Sequence, residues 1–91
     1  MTKLEAIRSA IVSRIHHYED LVDTDSAKIE RLTKVNRSPD IIYRKFVSNQ
    51  AAISECKKRI KVHTDTRKVW VDVLNMVDSI IMSDSDKFNE E

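Results

Sequence analysis

The chain has 91 residues, 41% of them apolar and 34% charged, a formal net charge of +1, no glycine, one proline and one cysteine. Phosphate-cradling loops, nucleophile elbows and tight turns lean on glycine, so its absence argues against P-loop, dinucleotide-fold and hydrolase chemistry and favours few, long elements. The lone Cys56 excludes an intrachain disulfide and a cysteine-based zinc site, and no run approaches the roughly 18 apolar residues of a membrane span.

This length implies a single domain. Residues 1–13 alternate charge with apolar side chains and contain no continuous hydrophobic signal region, so an intracellular, reducing, cytoplasmic protein without membrane contact is expected.

The first element is a helix over about residues 3–35. Leu4, Ile7, Ile11, Ile15, Tyr18, Val22, Ile29, Leu32 and Val35 recur at helical spacing. The stripe misses at Asp25 and Ser26, where Asp23, Thr24, Asp25 and Ser26 could each cap a fresh helix, but no glycine or proline enforces a break. One helix weakened near Thr24 is the preferred reading.

Residues 36–40 punctuate the chain. Asn36 tolerates the left-handed conformation that ends helices. Ser38 suits an N-cap, Pro39 the first helical position, and Asp40 the positive end of the dipole. A turn over 36–39 and a second helix over about 39–82 follow.

In that helix Ile42, Phe46, Asn49, Ile53, Cys56, Ile60, His63, Arg67, Trp70, Leu74, Val77 and Ile81 keep an unbroken 4-3 alternation, the pattern of a coiled-coil seam. Thr64, Asp65 and Thr66 are weak helix formers that could break it at 63–66. Residues 83–91 read as an acidic, frayed tail. The fold class is therefore all-α: a long antiparallel, coiled-coil-like helical hairpin, with a three-helix bundle bent near Thr64 as the alternative. Folding about Ser38 would set Leu4 near Trp70 or Val71 and leave residues 76–81 overhanging. A homo-oligomer would cover them.

The candidate constellations divide unequally. His16, His17, Glu19 and Asp20 make an incomplete ligand set, so no metal is expected. Cys56 lies beside Lys57 and Lys58, which would activate a thiol, but it sits on the seam, where a small thiol packs as a hydrophobe. Asn49, His63 and Arg67 interrupt the seam as polar residues that can fix register. Residues 4–11 are similar to the opening of the first helix of the chorismate mutase family, but the aspartates and the lysine–arginine pattern of that family do not follow, and the similarity implies nothing further. No catalytic residue and no cofactor are expected.

Charge is uneven. Residues 41–68 carry eight Lys/Arg against Glu55 and Asp65, while 69–91 carry Lys87 against six acids. The leading expectation is a non-enzymatic interaction protein that pairs with itself, as a dimer or higher, and docks on or inhibits an unidentified protein partner. Its interface would be Trp70, Val73, Met76, Val77, Ile80 and Ile81, because exposed apolar patches mark interfaces. The alternative is a nucleic-acid-binding accessory protein using Arg44, Lys45, Lys57, Lys58, Arg59, Lys61, Arg67 and Lys68. Against it stand the scatter of these cations around the helix and the shortage of aromatics for base stacking. A solvated face paired with acidic neighbours is the preferred explanation of them. A glycine-free helical chain of this size would also suit a bacterial virus.

Overall fold

The computed structural model of the chain describes residues 2–89, with side chains through Ser83. Two helices make up the fold, α1 over Lys3–Asn36 and α2 over Tyr43–Asn89. They lie antiparallel in a rod measuring 74 × 18 × 16 Å. The radius of gyration is 20.7 Å, against about 12 Å for a compact domain of this length.

A capping box starts α1. The Glu5 N–H donates to Thr2 Oγ1 at 3.1 Å, and the Thr2 N–H donates back to Glu5 Oε2 at 3.4 Å. The helix then runs unbroken through residues 23–26. Its buried line is Ile11, Ile15, Tyr18, Val22, Asp25, Ile29, Leu32 and Asn36, all buried or half-buried. The 4-3 spacing never lapses: what reads as a gap at Asp25 is a seam position occupied by a carboxylate. Val35 accordingly turns outward and Asn36 faces α2.

The turn differs from the expected one. No described residue has positive φ, and α1 closes with Arg37 in the right-handed region, its N–H shared between the carbonyls of Thr33 and Lys34 at 3.2 Å. Pro39 does not open α2. It follows Ser38 in a tight turn, in which the Ile41 N–H reaches Ser38 O at 3.3 Å and Ser38 Oγ accepts from the Asp40 N–H. Proline's fixed φ suits the second position of such a turn as well as it suits a first helical turn. Helix α2 begins only at Tyr43, with the Phe46 N–H on Ile42 O at 3.0 Å.

The longer connection resets the register. Asn36 lies level with Asn49, Asp25 with Arg59, Glu19 with Arg67 and Arg8 with Asp78. Leu4 therefore sits near Ile81 rather than near Trp70, and residues 76–81 lie alongside α1 instead of overhanging it. At the turn end Ile42 and Tyr43 are 74% and 80% exposed.

Helix α2 is not broken at 63–66. Thr66 Oγ1 donates to Val62 O at 2.9 Å inside the helix, which satisfies the hydroxyl without starting a new one. The backbone stays helical from residue 83 to Asn89, where a frayed tail was expected. Glu90 and Glu91 of that tail lie outside the described residues. The α2 seam is as its spacing predicts: from Phe46 to Ile81 every seam position is buried or half-buried. Ile42 is the exception, since it precedes the helix.

Two helices can bury only the line between them. Among the described residues Ile11, Ile15, Ile53 and Cys56 are the buried apolar side chains. Total accessible surface is 7230 Å², about a third more than the roughly 5,500 Å² of a compact monomer of 10.6 kDa.

Candidate interaction surfaces

Four polar rungs cross the seam between the helices. Nearest the turn, Asn49 is 4% exposed and its Nδ2 donates to Asn36 Oδ1 at 2.9 Å, while Asn36 Nδ2 donates to Phe46 O at 3.3 Å. Next, Arg59 grips Asp25 in a fork: Nε donates to Oδ2 at 3.2 Å and Nη2 to Oδ1 at 3.0 Å. The same Nη2 lies 3.1 Å from Cys56 Sγ. Asp25 is 8% exposed, and the guanidinium bonded to it holds its carboxyl below the usual carboxylate range, against burial, which pushes the other way. Farther out, Arg67 reaches Glu19 at 3.0 Å, and Arg8 Nε reaches Asp78 Oδ1 at 2.7 Å. No buried side-chain nitrogen or oxygen among the described residues lacks a partner. Asn49 and Arg67 thus each pair with a polar residue of α1 across the seam. His63 stacks obliquely on Tyr18, ring centres 5.8 Å apart.

Cys56 is fully buried beneath Arg59, placed as a packing residue. The Glu19 carboxylate is engaged by Arg67, His16 and Asp20 are exposed, and no group of three or more metal-binding side chains gathers among the described residues.

Helical geometry sorts the remaining side chains onto two broad faces, one on each side of the seam. Positions one residue before each seam position form one face. On α2 these are Val62, Thr66, Val69, Val73, Met76 and Ile80, a second 4-3 stripe without a charge between residues 62 and 80. Val62, Val69, Met76 and Ile80 are exposed, and Ile7 and Ala10 of α1 flank them. The six residues expected at an interface are therefore divided. Trp70, Val77 and Ile81 belong to the seam and are half-buried, whereas Met76 and Ile80 are open to solvent beside a half-buried Val73.

The eight cations expected to contact nucleic acid divide as well. Arg59 and Arg67 reach across to carboxylates of α1, and Lys58 lies 3.6 Å from Glu55 on its own helix. Arg44, Lys45, Lys57, Lys61 and Lys68 are exposed. Lys57, Lys61 and Lys68 share the face opposite the uncharged stripe, one residue after the seam.

The hairpin also gathers cations that the α2 segment alone does not reveal. Residues 28–61, which make up the turn half, carry ten Lys/Arg against Glu30, Asp40 and Glu55. Lys28, Arg31, Lys34 and Arg37, from the end of α1, complete this basic end, and all four are exposed. The open end is the reverse: residues 1–24 carry three Lys/Arg against four acids, and residues 62–91 three against seven. Helix α2 also starts on Ile42, which has no capping oxygen, and its first turn holds no acid, so its N-terminal N–H groups add to the positive potential. A shallow cleft of about 310 Å³ opens on the Lys57 side near the turn, lined by Thr33, Asn36, Arg37, Phe46, Gln50, Ile53 and Lys57.

Comparison with family models, with curated proteins and with solved structures finds no match to this chain. Among the described residues no helix is long and apolar enough to cross a membrane.

Proposed function

We propose that the chain is a non-enzymatic helical assembly protein, which pairs with a second copy through the open half of the hairpin and docks on, or inhibits, a macromolecular partner. The uncharged stripe on α2 carries this reading. Its side chains lie outside a seam already closed by α1, yet they repeat with the period of a helix-packing surface. Apolar side chains that point at water with no charge among them over five turns mark a surface meant to be covered. The large accessible area of the single chain supports the same reading.

The test is a double substitution, Met76→Glu with Ile80→Glu, followed by sedimentation equilibrium and circular dichroism. The parent should sediment as a dimer or higher, and the variant as one chain with its helical signal intact. A parent that sediments as one chain at micromolar concentration would remove the reading.

A second reading rests on a different observation, the clustering of cations from both helices at the turn end. It makes that end a binding surface for a polyanion, with nucleic acid the leading candidate. Exposed Tyr43 offers a stacking ring beside Arg44 and Lys45. Binding would then weaken steeply with salt, each phosphate contact adding about 0.9 to the log–log slope on duplex DNA. A low-salt gel shift without any retarded band would dispose of it.

A further inference from the structure

We infer, resting on the polyanion reading above, that the turn end takes single-stranded rather than duplex nucleic acid. The strand would lie along the side of the rod that carries the cleft.

Helical spacing puts Tyr43, Val47, Gln50, Ser54, Lys57 and Lys61 on one line of α2, one residue after the seam. Gln50 and Lys57 of that line belong to the cleft, and Thr33 and Arg37 bound it from α1. Because Asn36 pairs with Asn49, Arg37 lies near the level of Ser48, about 13 Å along the rod from Lys57. The cleft thus has a cation from each helix toward its two ends. Both are exposed, and among the described residues neither forms an ion pair.

The acids on this side leave that stretch positive. Glu30 lies 3.6 Å from Lys34 on its own helix, and Glu19 is held by Arg67. Asp40 sits in the turn itself. Asp23 comes level with Lys61, since Asp25 pairs with Arg59, and the positive track ends there.

Cations alone do not choose between a duplex and a single strand. Apolar surface beside them does. A duplex turns its phosphates outward and keeps its base faces stacked on one another, so it has no use for rings and aliphatic side chains between the cations. Here the half-buried Phe46 and the buried Ile53 line the cleft with Arg37 and Lys57, and the exposed Tyr43 lies two turns nearer the tip than Gln50. A single strand presents phosphates and base faces together. Its phosphates meet Arg37 and Lys57, and a base stacks on Tyr43 without regard to which base it is. From Tyr43 to Lys61 the line is about 27 Å long, room for roughly eight nucleotides at a stacked spacing of about 3.4 Å. A flat anionic membrane pressed on the tip would reach Ile42 and Tyr43 but not Lys57 and Lys61 on the flank.

The test is fluorescence anisotropy at low salt with the full chain. Its probes are a labelled oligothymidylate of about 15 nucleotides and a duplex of the same length. The oligothymidylate should bind several-fold more tightly than the duplex. Tyr43→Ala should weaken it about tenfold and leave the duplex unaffected, while Tyr43→Phe keeps the parent affinity. Lys57→Gln should lower the log–log salt slope on the single strand by about 0.7. Circular dichroism checks that each variant keeps its helical signal. Equal binding of both probes with no effect of Tyr43→Ala would overturn the single-strand assignment and leave the polyanion reading standing. Binding of neither probe would overturn both, as would retention on phosphatidylserine vesicles without any oligonucleotide binding.

Discussion

The two halves of the rod share one seam period, but the α2 side of the seam is buried to different depths, while Ile11 and Ile15 of α1 are buried in the open half. In the turn half, α2 places Asn49, Ile53 and Cys56 on the seam, and all three are buried. In the open half, α2 places Trp70, Leu74, Val77 and Ile81 on the same line, and all are only half-buried. Small side chains and a paired amide let two helices close on each other. Large ones spread past the strip that a single neighbouring helix can cover. The flanks then decide what each half needs. At the turn end they are mostly charged, with Val35 and Val47 exposed among them, while at the open end they include the uncharged stripe of Val62, Val69, Met76 and Ile80.

That contrast can be broken first at Ile53. Ile53→Ala removes a buried side chain from the closed half and should cost on the order of 3 kcal/mol, read from a denaturant titration. Leu74→Ala, in the half-covered end, should cost clearly less in an isolated hairpin and approach the Ile53 value in the paired state. Equal losses at low and high protein concentration would show that nothing covers the open half.

The Asp25–Arg59 rung gives the next effect. With Arg59 present, the folded carboxyl sits below its unfolded value of about 3.9, so its contribution is complete above that pH and fades as pH falls through the lower folded value. Arg59→Leu leaves a nearly buried carboxylate without its partner. Urea midpoints at pH 7 should therefore fall well below those of the parent, and the gap should narrow as pH drops toward about 2. A gap independent of pH would mean that the guanidinium matters only for packing.

Asn49→Leu should cost about 1 kcal/mol, because the Asn36 carboxamide then loses the donor that satisfies its oxygen. Changing Asn36→Leu as well should restore most of it, which a double-mutant cycle would reveal. The smallest effect belongs to the exposed Lys58–Glu55 pair. Lys58→Ala should move stability by no more than about 0.5 kcal/mol while lowering any affinity of the turn end for polyanions.

Much of this molecule is readable from residue spacing. The α2 seam from Phe46 to Ile81 is visible as an unbroken 4-3 alternation, because a helix that meets one partner must repeat its contact line every 3.5 residues. Asp25 is not visible that way. A carboxylate on an apolar stripe reads as a gap until the chain returns, 34 residues later, with Arg59. Pro39 misleads for a different reason, since a proline with φ near −65° fits both a helix start and a tight turn. That ambiguity matters most, because a few residues of extra connection carried the partner of Leu4 from Trp70 to the neighbourhood of Ile81. The same shift bears on the interface residues expected over 70–81, because which of them α1 covers depends on register. The basic end was half legible, since Lys28, Arg31, Lys34 and Arg37 join it only when the hairpin closes.

The pairing of the open half is tested most directly by the mass of the intact chain in solution, measured by light scattering across a dilution series at physiological salt. Twice 10.6 kDa at micromolar concentration is expected, falling toward a single chain only on strong dilution or with Met76→Glu and Ile80→Glu. A steady 10.6 kDa at every concentration would mean that the uncharged stripe over residues 62–80 stays bare, and the pairing would have to be abandoned.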